Sequence, residues 1–173
     1  MTERPGYTLI LLLLILTVLA IGLMVAWPVW QTQIRREKEE ELIFRGRQVV
    51  EAIRLFQAKN PGRFPLSLQE LYEKRFLRRL YKDPMTSSGE WNYILLPGSA
   101  RPGAGGTGQQ VLLVPQAALA SISSPQILGV ASPSSRTSLR TYNGAQSYDQ
   151  WLFFYGQDPR SRPEVIRLGK PKP

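Results

Sequence analysis

The sequence predicts an α+β protein in which one long N-terminal helix, apolar in its first half and amphipathic in its second, packs on a small antiparallel sheet. Three observations predict it. No charge falls in the thirty residues between Arg4 and Arg35. After that run, Leu42, Val49, Ile53 and Phe56 recur at helical spacing, with Gly46 in the same stripe and Arg and Glu on the other faces. Beyond Asn60-Pro61-Gly62 the helical period stops, and short apolar segments alternate with turn residues, among them Asn143-Gly144, a strong hairpin signal.

Each element follows from local chemistry. Leu9 to Trp27 is nearly all apolar, and roughly 20 helical residues cross the ~30 Å hydrocarbon layer of a bilayer. A chain of 173 residues then leaves room for one domain beside the anchor. Nothing breaks the helix before Asn60, so it is expected from Tyr7 to Lys59, kinked at Pro28 by the missing N–H and the ring clash. Lys38, Glu37, Glu41 and Arg45 can pair three or four residues apart, at about a few tenths of a kcal/mol each. Ser67 and Glu70 form a capping-box pattern that predicts a short helix over Leu68–Phe76. Strands are expected at Glu90–Pro97 and Pro125–Ser132. Val111–Val114 reads as a strand or as an apolar patch on an insertion. "YDQWLFFYG" reads as the last long strand, with Trp151, Phe153 and Tyr155 on one face. Residues 97–108 hold five glycines and two prolines and read as a loop; the tail from Gln157 reads as irregular.

The N-terminus differs from an ordinary secretory leader. No small-residue cleavage pattern follows the apolar run, where Ala26, Trp27 and Pro28 stand. The polar piece lies before it, Met1 to Gly6, and ends in glycine. The stretch Gly6-Tyr7-Thr8-Leu9-Ile10 resembles the processing signature of type IV pilins and pseudopilins, and Pro28 lies 22 residues after Gly6, where that family carries a helix-kinking proline. Along the first hundred residues the chain resembles the major pseudopilin of type II secretion, through "FPLSLQEL", the basic stretch and "DP" before an aromatic strand.

The resemblance implies a type IV pilin-like fold and a set of boundaries. Residues 1–6 would be a prepilin leader and residues 7–30 the transmembrane half of the helix. Residues 31–173 would form the periplasmic head, with helix over 31–59, the head proper over 60–156 and the tail over 157–173. It implies cleavage between Gly6 and Tyr7 by a prepilin peptidase, methylation of the new N-terminus, a single-pass anchor in the inner membrane, and later assembly into a periplasmic pseudopilus. The partners would be other pseudopilin or pilin subunits, the inner-membrane assembly platform and the bilayer. One residue departs from the pattern. Five positions after the glycine the family has glutamate, and this chain has Leu11. Leu11 and Pro28 are therefore the expected assembly positions.

Charge orients the anchor weakly. Arg4 faces Glu3 on one side, and Arg35, Arg36 and Lys38 mix with Glu37, Glu39, Glu40 and Glu41 on the other, so a positive-inside count favours neither end strongly, or even the wrong one. The resemblance places the leader inside and the head outside. With no cysteine, no disulfide framework is expected and neither redox compartment is demanded.

The chemistry is mostly exclusion. With no histidine and no cysteine, histidine bases, Ser-His-Asp and Cys-His sets and the usual zinc ligands are excluded. Asp83, Asp149 and Asp158 are far apart in sequence, and "GAGGTG" lacks the Lys-Ser/Thr of a phosphate loop. No catalytic residue, cofactor or metal is assigned. A calcium loop near the C-terminus would follow from the resemblance, but here Asp158 and Glu164 stand amid Arg160, Arg162 and Arg167, against the negative oxygen set that calcium needs.

The net charge is +9, and five basic residues, Lys74, Arg75, Arg78, Arg79 and Lys82, fall within nine positions. They form a candidate anion patch for DNA or acidic headgroups. A solvated face complementing acidic neighbours is the simpler reading, since the interleaved Tyr72, Phe76 and Tyr81 fit a core equally well; nucleic acid is not an expected partner. Two function classes follow: a non-catalytic fibre subunit, either a type II secretion pseudopilin or a minor pilin or DNA-uptake relative, and a non-polymerising bitopic protein with an anion-binding head.

Overall fold

The computed structural model describes residues 5–96, 110–158 and 163–168. The chain divides into two units, Met1–Glu37 and Lys38–Pro173. Helix α1 runs over Pro5–Lys59, as the uncharged run and the amphipathic stripe after it require. The kink expected at Pro28 falls in 25–29, where side chains lie outside the described residues. In the first unit the side chains from Gly6 to Met24 are all exposed. The one hydroxyl in their middle, Thr17, donates to the Leu13 carbonyl at 2.7 Å and so satisfies itself within the helix.

In the second unit the predicted stripe is the helix face that packs. Leu42, Val49, Ile53 and Phe56 are fully buried, joined by Ala52. Arg45–Glu41 and Arg54–Glu51 pair on the outer faces at 2.6 Å. Both pairs are partly or largely solvent-exposed, so they trim the surface and leave the fold to apolar burial. Burying each large apolar side chain contributes about 1.5–3 kcal/mol.

Helix α2 spans Leu68–Glu73, three residues shorter than the sequence predicts. Its capping box forms: the Glu70 amide donates to Ser67 Oγ at 3.0 Å, and the Glu70 carboxylate accepts from the Leu66 amide at 2.8 Å. The helix ends early because Arg75 enters the left-handed region at φ 61°. The Phe76 and Leu77 amides then both turn back to the Leu71 carbonyl, which closes the last turn.

The sheet is built from β1 (Asn92–Leu95), β2 (Gln110–Pro115), β3 (Ile127–Ala131), β6 (Leu152–Phe154) and β7 (Glu164–Arg167), in the order β6-β3-β1-β2-β7. A one-turn helix α3 (Gln116–Leu119) follows β2. All neighbours are antiparallel except β2 and β7, which are parallel. A separate hairpin, β4 (Thr137–Tyr142) and β5 (Ala145–Ser147), turns at Asn143-Gly144. Both turn residues have positive φ, 47° and 75°, as a type I′ hairpin turn demands.

Both faces of the sheet are apolar. Tyr93, Leu95, Leu112, Val114, Val130 and Phe153 join α1 in the main core. Ile94, Val111, Leu113, Leu128, Leu152 and Phe154 form a second cluster on the opposite face, with Phe64 and Val165 packed on it. Val111–Val114 is therefore a strand proper, not a patch on an insertion. The loop expected over 97–108 lies outside the described residues.

Two expectations need correction. "YDQWLFFYG" is not one long strand: Tyr148–Gln150 is a 3₁₀ turn, and only three residues of ladder follow. Ser147 Oγ donates to Asp149 Oδ1 at 2.6 Å, and the Trp151 amide returns to the Tyr148 carbonyl at 3.1 Å, which winds the chain before it extends. Trp151 and Phe153 share the main core, but Tyr155 lies in the turn after β6 and is exposed, so the three do not form one face. The tail is not wholly irregular either, because Glu164–Arg167 adds β7 beside β2. Backbone pairing to an otherwise open strand edge outweighs a composition that reads as loop.

Candidate functional site

The first candidate is the start of α1. Gly6 and Tyr7 open the helix, and Tyr7 is 71% exposed. Leu11 is 45% exposed, one of a continuous apolar surface running to Met24. Gly6–Met24 is long and apolar enough to cross a membrane, and a signal sequence near the N-terminus meets the same criterion. In water a surface of this size is unfavourable, so it calls for lipid or a partner. Among the described residues, and leaving aside the helix's own backbone, no heavy atom lies within 4 Å of the position a Cβ would take at Gly6. A glycine costs about 1 kcal/mol against alanine inside a helix, and no side-chain contact among the described residues requires one here.

The second candidate is the basic segment, and the structure disperses it. Lys74 pairs with Glu70 at 2.6 Å and lies 5.1 Å from the Phe56 ring centroid. Arg79 lies 5.0 Å over the Tyr81 ring. Lys82 lends its carbonyl to the Arg45 guanidinium at 2.6 Å. Arg75 and Arg78 line a shallow groove with Tyr72, Glu73 and Leu77, where Glu73 partly offsets their charge. Phe76 and Tyr81 pack on the main core, as the simpler reading has it, but Tyr72 does not: it is exposed and lines the groove.

Two buried carboxylates escaped the sequence reading. Glu39 is fully buried; its Oε1 accepts from the Leu139 amide and the Tyr148 hydroxyl, both at 2.6 Å, while Oε2 has no partner among the described residues. Next to it, Glu40 meets Arg140 at 3.1 Å. Together they tie the β4–β5 hairpin to α1. Glu39 lies three residues before Leu42, on an extension of the core stripe, and that position was the available signal.

Asp83 is 2% exposed and accepts from the Met85 amide at 2.9 Å, Ser132 Oγ at 2.7 Å and Thr86 Oγ1 at 3.3 Å. Burial pushes its carboxyl above the usual range, against the three hydrogen bonds and the Arg45 charge, which favour ionisation. The folded chain thus holds this proton more tightly than the unfolded chain. Stability from this group is greatest below the ordinary aspartate value, about 3.9, falls as pH rises towards the raised folded value, and is level above it. The advantage of wild type over Asp83→Asn should therefore shrink across that window in urea titrations. An advantage that grows with pH would overturn the assignment.

Among the described residues no group of three or more His, Cys, Asp or Glu side chains is placed to hold a metal ion. Comparisons with family models, with curated proteins and with solved structures give no match to this chain. What the geometry defines is an α+β chain whose N-terminal helix can serve as a membrane span or a signal sequence, joined in sequence to a unit with a small, mostly antiparallel sheet.

Proposed function

We propose that this chain is a pseudopilin: a non-catalytic, single-pass inner-membrane protein with a type IV pilin-like head in the periplasm, assembled after processing into a type II secretion pseudopilus. The observation that carries the proposal is the exposed apolar surface of Gly6–Met24, opened by a glycine that no contact among the described residues demands. A peptidase working beside the scissile bond would demand one. The resemblance of Gly6-Tyr7-Thr8-Leu9-Ile10 to the prepilin signature supplies the reaction, cleavage before Tyr7. The same apolar surface serves twice, in lipid before assembly and against other subunits' helices afterwards. Pro28 removes one backbone donor within α1 and permits local unwinding when helices pack.

Leu11 sets the subunit's place. A carboxylate in lipid costs about 2.5–3.5 kcal/mol on insertion scales, so the family's glutamate is retained only with a partner, the N-terminal amine of a neighbouring subunit. Leu11 avoids that cost but leaves the neighbour's amine unmatched, and an uncompensated buried charge is expensive. Repeated along a fibre, the defect would recur at every step. At the tip one neighbour is missing, so we place this subunit at low copy near the tip.

The test is the mass of the mature N-terminus, with antibody labelling of assembled fibres. A chain beginning at N-methylated Tyr7 and labelled near one end fits the proposal. Regular labelling along the whole length would sink the tip placement. An intact Met1 would favour the second reading, a bitopic anion-binding protein, for which the exposed pair Arg75 and Arg78 is the specific feature.

A further inference from the structure

The edge of the sheet holds an unequal pair of strands. On β2 the run Val111-Leu112-Leu113-Val114 is buried throughout, with side chains in both apolar clusters. Uncharged and apolar, this is the kind of strand that pairs readily with another chain when its edge is open. Strand β7 covers that edge, matching Gln110 to Glu164, Val111 to Val165, Leu112 to Ile166 and Leu113 to Arg167. Yet β7 itself buries almost nothing: Glu164, Ile166 and Arg167 are exposed and Val165 is only half-buried. Side chains add one hydrogen bond, Gln110 to Glu164 at 2.8 Å, and one ion pair, Arg167 to Asp149 at 2.7 Å. The Leu168 amide donates to the Leu113 carbonyl at 3.0 Å.

So β2 needs a neighbouring strand far more than β7 needs β2. The pairing is parallel, which is slightly less stable per residue than antiparallel. It spans four residues at the end of the sheet. Opening it exposes little of β7 but leaves a row of backbone donors and acceptors on β2 beside two apolar faces. The segment best fitted to refill the slot is the same segment from another molecule. It brings Glu164 to Gln110, Arg167 to Asp149 and Val165 to the second cluster, in the register already built.

We propose that β7 is a displaceable strand and that the β2 edge beneath it accepts β7 of a second copy of this chain, linking two copies by strand exchange. The inference is independent of the membrane reading, since it rests only on the Lys38–Pro173 unit.

The native chain has no cysteine, so an engineered pair reports the pairing without background. Gln110→Cys with Glu164→Cys puts thiols on facing positions of the ladder. Full-length chain carrying the pair is prepared with two tags of different size, mixed in detergent under reduction, incubated and oxidised. Exchange produces a disulfide product containing both tags, in a share that rises with protein concentration. If only intrachain disulfides form at every concentration, after incubation long enough for amide exchange of Val165 and Ile166 to be complete, β7 opens without exchanging and the proposal fails. A second variant ends after Asp158 and lacks β7. With no β7 to donate, it should give no strand-exchanged dimer but should bind an added peptide covering residues 163–168. A truncated chain that folds and does not bind the peptide would overturn the acceptor role of β2.

Discussion

Gly129→Ala should destabilise the Lys38–Pro173 unit by about 3 kcal/mol or more, a large part of the roughly 5–15 kcal/mol that holds a typical domain. Gly129 pairs with Phe154 across β3 and β6. A Cβ there would drive into the Phe153 carbonyl oxygen and would lie 2.5 Å from Phe154 Cα. Those are backbone atoms of a paired strand, so relief means parting β6 from β3. Overpacking costs typically run about 1–3 kcal/mol where side chains can yield, and here they cannot. Gly46 is the internal control. A Cβ at Gly46 would also be too close: it would meet the attachment carbon of the Phe153 ring and lie 2.6–2.7 Å from the two carbons beside it, but that obstacle is a buried side chain, not backbone. Alanine also regains about 1 kcal/mol of helix propensity. Gly46→Ala should therefore cost clearly less than Gly129→Ala in urea midpoints. Equal costs, or a Gly129→Ala protein within about 1 kcal/mol of wild type, would mean that the β3–β6 contact is looser than this packing requires.

Gly6→Val should abolish maturation while leaving the fold intact. Among the described residues no other part of the chain packs on the site of the substitution, so far-UV circular dichroism should match wild type. A peptidase cleft that takes glycine beside the scissile bond has no room for a side chain branched at its first carbon. On the pseudopilin reading, the variant accumulates in the membrane with the leader still attached from Met1 onward, and no chain begins at Tyr7. Normal processing of Gly6→Val would refute the prepilin assignment. A misfolded product would instead indicate that Gly6 serves the helix itself, which the absence of contacts argues against.

The elements that sequence revealed are those governed by local periodicity or local chemistry. The uncharged run and the stripe Leu42, Val49, Ile53 and Phe56 dictate α1, because a 3.6-residue period needs no distant information. Ser67 and Glu70 announce the start of α2, since the capping box closes within four residues. Asn143-Gly144 announces its hairpin, since both φ values are positive and glycine and asparagine bear that most easily. Gly6, Tyr7 and Leu11, the positions to which the pseudopilin proposal gives processing and assembly, could be proposed from sequence for the same reason: they lie in one short linear stretch.

Tertiary structure alone decided the rest. The turn at Tyr148–Gln150 and the shortness of β6 were hidden because Trp151 to Phe154 are buried on both faces of the sheet, which erases the alternation that marks a strand. Pairing of β7 was hidden because its own residues are largely polar and exposed; the need for it lies in β2, some fifty residues earlier. The basic segment looked like one patch, yet the left-handed turn at Arg75 and the rings of Phe56 and Tyr81 scatter it. Glu39 and Asp83 are buried with the help of partners 49 to 109 residues away, Ser132, Leu139 and Tyr148. A carboxylate's environment is set by what folds against it, and the distant partners that complete it lie outside any window of neighbouring residues.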